Sequence, residues 1–268
     1  MKKKGQVAVF IILALMLISA GAIAFFITLE SSNTEIDSDY FAQSDIKQGV
    51  NQIQSSVLDC ETLVSNDALD TIGIQGGYYN APEKAFDLGW TSIPYYYKQG
   101  QFLMPEKSVI EDELSDYINN NLNLCLETIQ VGDFNLSYSV PKTKTVITKD
   151  LVSFIVDLQI KIKKENKATL IELKDNPVNI NSKLFEMIEI ADFIINSYKE
   201  DPDMMCVSCV LSMAHEKNLH VDSLDFLGDN KTTLIVISTN STEIYPVAFE
   251  FLTEYKKEGV AGLISSTL

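Results

Sequence analysis

The feature that most constrains this chain lies near its start, where residues 7–29 form twenty-three consecutive positions without a charge. At a rise of 1.5 Å per residue such a run makes about 34 Å of helix, enough for a hydrocarbon core of about 30 Å. In lipid every peptide group must find its partner inside the segment, so the run is expected to be a transmembrane helix. Lys2, Lys3 and Lys4 precede it, and Glu30, Glu35, Asp37 and Asp39 follow it. Lysine-rich flanks stay cytoplasmic. The expectation is a single-pass protein of the cell membrane, held in the lipid bilayer through residues 7–29, with its N-terminus inside and a C-terminal ectodomain outside.

Three treatments of this run stay open. One is an uncleaved anchor, and one is a secretory signal peptide cut after Ala22-Ile23-Ala24. The third rests on the opening residues. Lys2-Lys3-Lys4-Gly5-Gln6 before a long apolar run resembles the class III signal peptide of archaeal type IV pilin-like, single-pass surface proteins. The resemblance is confined to the N-terminal region. It implies that a prepilin-type peptidase cuts between Gly5 and Gln6 and leaves the apolar helix on the mature protein. At the fifth mature position, where many pilins carry Glu, this chain has Phe10.

Beyond residue 30 the chain is acidic. Its 268 residues hold 21 basic side chains, every one a lysine, against 37 acidic ones, for a net charge of −16. Nucleic acid is therefore not an expected partner, because its phosphates call for a basic face. The absence of arginine also removes the usual bidentate clamp for phosphate or carboxylate. The length and a hydrophobic content of 46% permit a proper core.

Periodicity divides the chain into residues 1–29 (signal and membrane segment), 30–130 (helical stalk and a tyrosine-rich loop), 131–258 (an α+β region holding the sheet) and 259–268 (a loose tail). Ile46, Val50, Ile53, Val57, Cys60, Val64 and Ala68 recur at helical steps of three and four. This helix is expected to end near Gly73 or at Gly76-Gly77. Residues 76–105 read as an irregular loop with Pro82, Pro94 and Pro105. A second helix is expected over 105–129, with Glu111, Asp112 and Glu113 read as a dipole and solubility feature of its start. Strands are expected over 134–140, 144–148, 151–162 and 168–173, then helices over 182–198 and 201–217. Three further strands are expected over 219–227, 232–239 and 244–255. The expected fold class is α+β, a transmembrane helix followed by an ectodomain of helices packed on an antiparallel sheet.

The four cysteines are Cys60, Cys125, Cys206 and Cys209. An extracellular compartment permits disulfides, and four cysteines allow three pairings. Cys60 and Cys125 each lie on the apolar seam of a helix, so antiparallel packing would let them meet. Cys206-Val207-Ser208-Cys209 is a C-x-x-C at a helix start, which reads as a local structural disulfide or as a redox dithiol. With His215 and His220 it also makes a C-x2-C-x5-H-x4-H string. A continuous helix puts His215 about 180° around from Cys206, so one zinc ion cannot gather both, and no metal is expected.

The tyrosine-rich stretch supplies the binding candidates Tyr78, Tyr79, Trp90, Tyr95, Tyr96 and Tyr97, as rings that either stack a ligand or cover the helices beneath. Asn135, Asn230 and Asn240 open glycosylation sequons. No Gly-rich phosphate loop, G-x-S-x-G or H-E-x-x-H occurs, so no cofactor is expected and no catalytic residue is marked. The functional expectation is a membrane-anchored extracellular protein with a structural or interaction role, as a pilin-like surface component that assembles with itself or with other surface proteins. The alternatives are a tethered thiol-disulfide oxidoreductase using Cys206 and Cys209, and an ectodomain that binds a glycan or another ligand.

Overall fold

The computed structural model describes residues 44–165, 167–200, 206–228, 231–239 and 247–254. The chain divides into two compact units, Met1–Gln48 and Gly49–Leu268. Of the first, only the opening residues of the first helix are described; every other described element belongs to the second.

Helix α1 spans Ser44–Ile74. Its seam Val50, Ile53, Val57, Cys60, Val64, Ala68 and Ile72 is buried, so from Gly49 onward this helix is part of the core rather than a free stalk. It closes on Gly76 and Gly77, at φ +52° and +85°, a left-handed turn that favours glycine. Gly73, within the last turn, lies so close to the Ala248 carbonyl that an added Cβ would stand 2.3 Å from it.

The chain then runs through β1 (Ala85–Asp87), β2 (Ser92–Lys98) and β3 (Gln101–Phe102) before α2 (Lys107–Leu126). The irregular loop expected over residues 76–105 is thus corrected to three strands. β2 is buried on both faces and lies inside a six-stranded sheet of order β1-β2-β12-β11-β10, with β3 also paired to β2. The last three strands of the chain, β10 (Leu219–Asp225), β11 (Thr232–Thr239) and β12 (Ala248–Glu254), complete that sheet. β12 pairs with β2 in parallel, and the other pairings of the sheet are antiparallel. Residues on both sides of position 130 therefore build one sheet.

Between α2 and the helices after it, the chain makes β4 (Asn135–Tyr138), β5 (Lys142–Ile147), β6 (Leu151–Asp157), β7 (Gln159–Lys164), β8 (Lys167–Glu172) and β9 (Val178–Asn181). These form two three-stranded antiparallel sheets, β4-β7-β8 and β5-β6-β9. The strand expected over residues 151–162 is corrected to two, divided at the buried Leu158. The Leu158 carbonyl accepts from the Leu173 N–H at 3.1 Å, and the Gln159 carbonyl accepts from the Ser139 N–H at 2.9 Å. The two small sheets are consequently one bent meander.

Its outer strand, β5, is sealed by α2. Thr143, Thr145 and Ile147 donate their N–H groups to Asn119 Oδ1, Ser115 Oγ and Glu111 Oε1, at 2.8, 3.0 and 2.8 Å. Helical steps of four rise about 6 Å, close to the roughly 6.6 Å of two strand residues, so one face of a helix satisfies alternate donors of one edge. Glu113 likewise accepts from the Tyr79 and Asn80 N–H groups, at 2.8 and 3.0 Å. These acids lie beyond the first turn of α2. The reading of Glu111 and Glu113 as dipole features is replaced by their role as acceptors for backbone that would otherwise lack one.

Helices α3 (Leu184–Glu200) and α4 (Val207–Glu216) complete the body. Phe86 and Phe226 meet edge to face at 5.0 Å beside the buried Ile93, Tyr95 and Leu252, and so link strand β1 to the end of β10.

The expected fold class is corrected in two respects. Among the described residues no helix is long and apolar enough to cross a membrane, and the large sheet is mixed rather than antiparallel. The described fold is α+β. Residues 7–29, Gly5, Gln6, Asn230, Asn240 and the tail at 259–268 lie outside the described residues.

Candidate functional site

The cysteines are joined in two disulfides, Cys60–Cys125 and Cys206–Cys209, with Cα atoms 5.7 and 5.3 Å apart. The first joins α1 to α2 across a sequence separation of 65. Cys60 is buried among the seam residues of α1. The second spans three positions at the start of α4, and both of its residues are exposed. Cys206 is the N-cap of that helix, and its sulfur accepts the Cys209 N–H at 3.3 Å. The Ser208 hydroxyl stands 3.6 Å from the same sulfur. His215 and His220 are exposed, in the last turn of α4 and on β10. Among the described residues no group of three or more metal-ligating side chains forms.

The aromatic candidates separate sharply. Tyr95, Tyr96 and Tyr97 are 6%, 0% and 4% exposed on β2. Tyr96 stacks on Phe251 at 4.4 Å and donates its hydroxyl to the Gly76 carbonyl at 2.8 Å. Tyr97 stacks on Tyr198 at 5.1 Å. Burial holds the Tyr96 hydroxyl well above the ordinary tyrosine pKa. These rings are core, with no face open to a ligand. Their β-branched and aromatic context, Ser-Ile-Pro-Tyr-Tyr-Tyr, carried a strand signal that the neighbouring prolines and glycines masked. Tyr78 and Tyr79 are half-buried, and Tyr79 packs edge to face on Tyr117 at 5.1 Å. Trp90 stands apart at 77% exposure in the turn between β1 and β2, near the exposed Leu88.

Sequence reasoning missed a cleft of about 670 Å³ between α1, the β5–β6 turn and the segment that leads from β9 into α3. Asp67, Asp70 and Asp150 line it, with Leu63, Leu69 and Ile180 as its apolar part. Burial, and then the charge of Asp67, raise the Asp70 carboxyl above its ordinary range. Lys183 also borders the cleft, but its ammonium pairs with Glu186 at 3.0 Å. The arrangement favours a ligand that brings a cation or hydrogen-bond donors on an apolar body, and disfavours an anion. The i, i+3 spacing of Asp67 and Asp70 was visible in the sequence; the approach of Asp150 was not.

Asn135, at the start of β4, is exposed. No family model matches the chain, and no curated protein or solved structure matches it either.

Proposed function

We propose that this chain is an exported protein that works outside the cytoplasm in a structural or interaction role, as a surface component meeting its own copies or other surface proteins. The observation that carries the reading is the pairing of its four cysteines in two disulfides. Such bonds persist in oxidising compartments and are rare where thiol buffers keep cysteines reduced. The opening Lys2-Lys3-Lys4-Gly5-Gln6 supports export by its resemblance to a class III signal, with a prepilin-type peptidase acting between Gly5 and Gln6. The exposed Asn135 sequon is compatible with the same compartment. The acidic cleft and the exposed Trp90 offer a partner chemistry to grip: carboxylates for a cation and a large ring for apolar contact.

The test is surface accessibility on intact cells. A membrane-impermeant amine reagent is expected to label exposed lysines of the body, such as Lys142 and Lys161, while a cytoplasmic control protein stays unlabelled. Labelling that appears only after lysis would refute the reading. Intact mass of the extracted chain reads the processing step separately, with a chain beginning at Gln6 expected.

A further inference from the structure

The two disulfides are built for different work. Cys60–Cys125 ties the buried Cys60 to the half-buried Cys125 and closes a long loop, so opening it releases a constraint between two helices. Cys206–Cys209 closes a short C-x-x-C loop, lies on the surface and sits where a helix begins. Little loop-closure entropy holds such a bond shut. Three features then favour the charged form of one sulfur once the bond opens. Cys206 caps the ten-residue helix α4, at the positive end of its dipole. The Cys209 N–H already points at the Cys206 sulfur at 3.3 Å. The Ser208 hydroxyl, at 3.6 Å, can turn its proton to the same atom. A thiolate held by a helix start and by donors leaves easily and persists at lower pH than a free cysteine. Beside it, Val207 and Leu211 are 55% and 51% exposed, an apolar shoulder one helical turn long against which a partner segment can lie.

We infer that Cys206–Cys209 is a redox-active disulfide that exchanges with a dithiol on a partner polypeptide, while Cys60–Cys125 is its inert structural counterpart. In the first step a partner thiolate attacks the Cys206 sulfur. The intramolecular bond breaks, and Cys209 leaves as a thiolate that takes up a proton. In the second step the partner's other thiolate attacks its own sulfur in the mixed disulfide, and Cys206 leaves as the stabilised thiolate. The partner is oxidised by two electrons to a disulfide, and Cys206–Cys209 is reduced by two to a dithiol. The partner's two thiol protons pass to Cys209 and to solvent. The same steps in reverse let the reduced pair open a partner's disulfide.

The experiment uses the purified full chain, so its outcome does not depend on where the protein resides. The chain is equilibrated with mixtures of reduced and oxidised glutathione, quenched with acid, alkylated, and read by peptide mass for each cysteine. Cys206 and Cys209 are expected to become reduced at a reduced-glutathione level roughly tenfold or more below that needed for Cys60 and Cys125. In the partly reduced chain, Cys206 is expected to alkylate with an apparent pKa roughly one unit or more below that of a free cysteine. Cys209→Ser is expected to accumulate a mixed disulfide at Cys206 when offered oxidised glutathione. Reduction of the two pairs together, or a Cys206 that alkylates no more readily at low pH than free cysteine, would overturn the inference.

Discussion

Among the described residues, Glu61 is the carboxylate that burial disturbs most. It lies on α1, fully buried, and neither carboxylate oxygen has a hydrogen-bond partner among the described residues. Burial pushes its pKa from 4.5 up to about 8. Below pH 4.5 the carboxyl holds its proton in both the folded and the unfolded chain. As pH rises from there to about 8, the unfolded chain releases the proton and the folded chain keeps it, so stability falls across that window and levels off above it. The expected loss is roughly 3–5 kcal/mol. Glu61→Gln should remove most of the slope. Thermal melts of the two proteins should nearly coincide near about pH 4.5 and separate, with the variant higher, near about pH 9. Parallel melting curves across that range would show that the carboxyl is solvated. Tyr96 offers a second, smaller test. Tyr96→Phe keeps the stack on Phe251 and leaves the Gly76 carbonyl without its donor. Denaturant unfolding should register a loss of about 1–2 kcal/mol.

At the scale of elements, stability rests on how helices are tied to strands and to each other. Ser115 accepts the Thr145 N–H and lies in contact with the Thr145 hydroxyl, in the middle of the α2 ladder along β5. Ser115→Ala strands a buried donor and should cost about 1–3 kcal/mol, read by chemical denaturation. The Cys60–Cys125 bridge is worth about 4 kcal/mol by loop closure, against about 2 for the short Cys206–Cys209 loop. Replacing both Cys60 and Cys125 by serine should therefore lower the melting temperature far more than replacing both Cys206 and Cys209.

The same elements show what the sequence made legible. α1, α2 and α3 are long amphipathic runs, and their apolar spacing placed them within a few residues. Cys60 and Cys125 stand on two such seams, where packing of the helices would let them meet, and the structure joins them. The role of β2 was not legible, because a strand buried on both faces has no alternation to read, and this one contains Pro94 and lies between Gly89 and Gly100. The edge role of Glu111, Ser115 and Asn119 was hidden for another reason. An i, i+4 row of polar side chains looks the same whether it faces water or a strand edge. The acidic cleft is tertiary in the same way, since Asp150 is brought to Asp67 and Asp70 only by the fold.

For the molecule as a whole, the two disulfides are what supports the proposal that it works outside the cytoplasm. A net charge of −16 adds self-repulsion to the compact state, which makes covalent ties more valuable to such a chain. The long-range bridge is the part of the design that a reducing compartment would not preserve. The most direct measurement is the thiol state of Cys60 and Cys125 in the protein taken from its native cells, quenched with acid and alkylated under denaturing conditions before any reductant is added. An exported, stapled body should leave both cysteines unmodified until reduction and fully modified after it. Cys60 and Cys125 found alkylated without reduction would contradict the account, because a chain that keeps those thiols free in the cell is not an oxidised protein of the cell exterior.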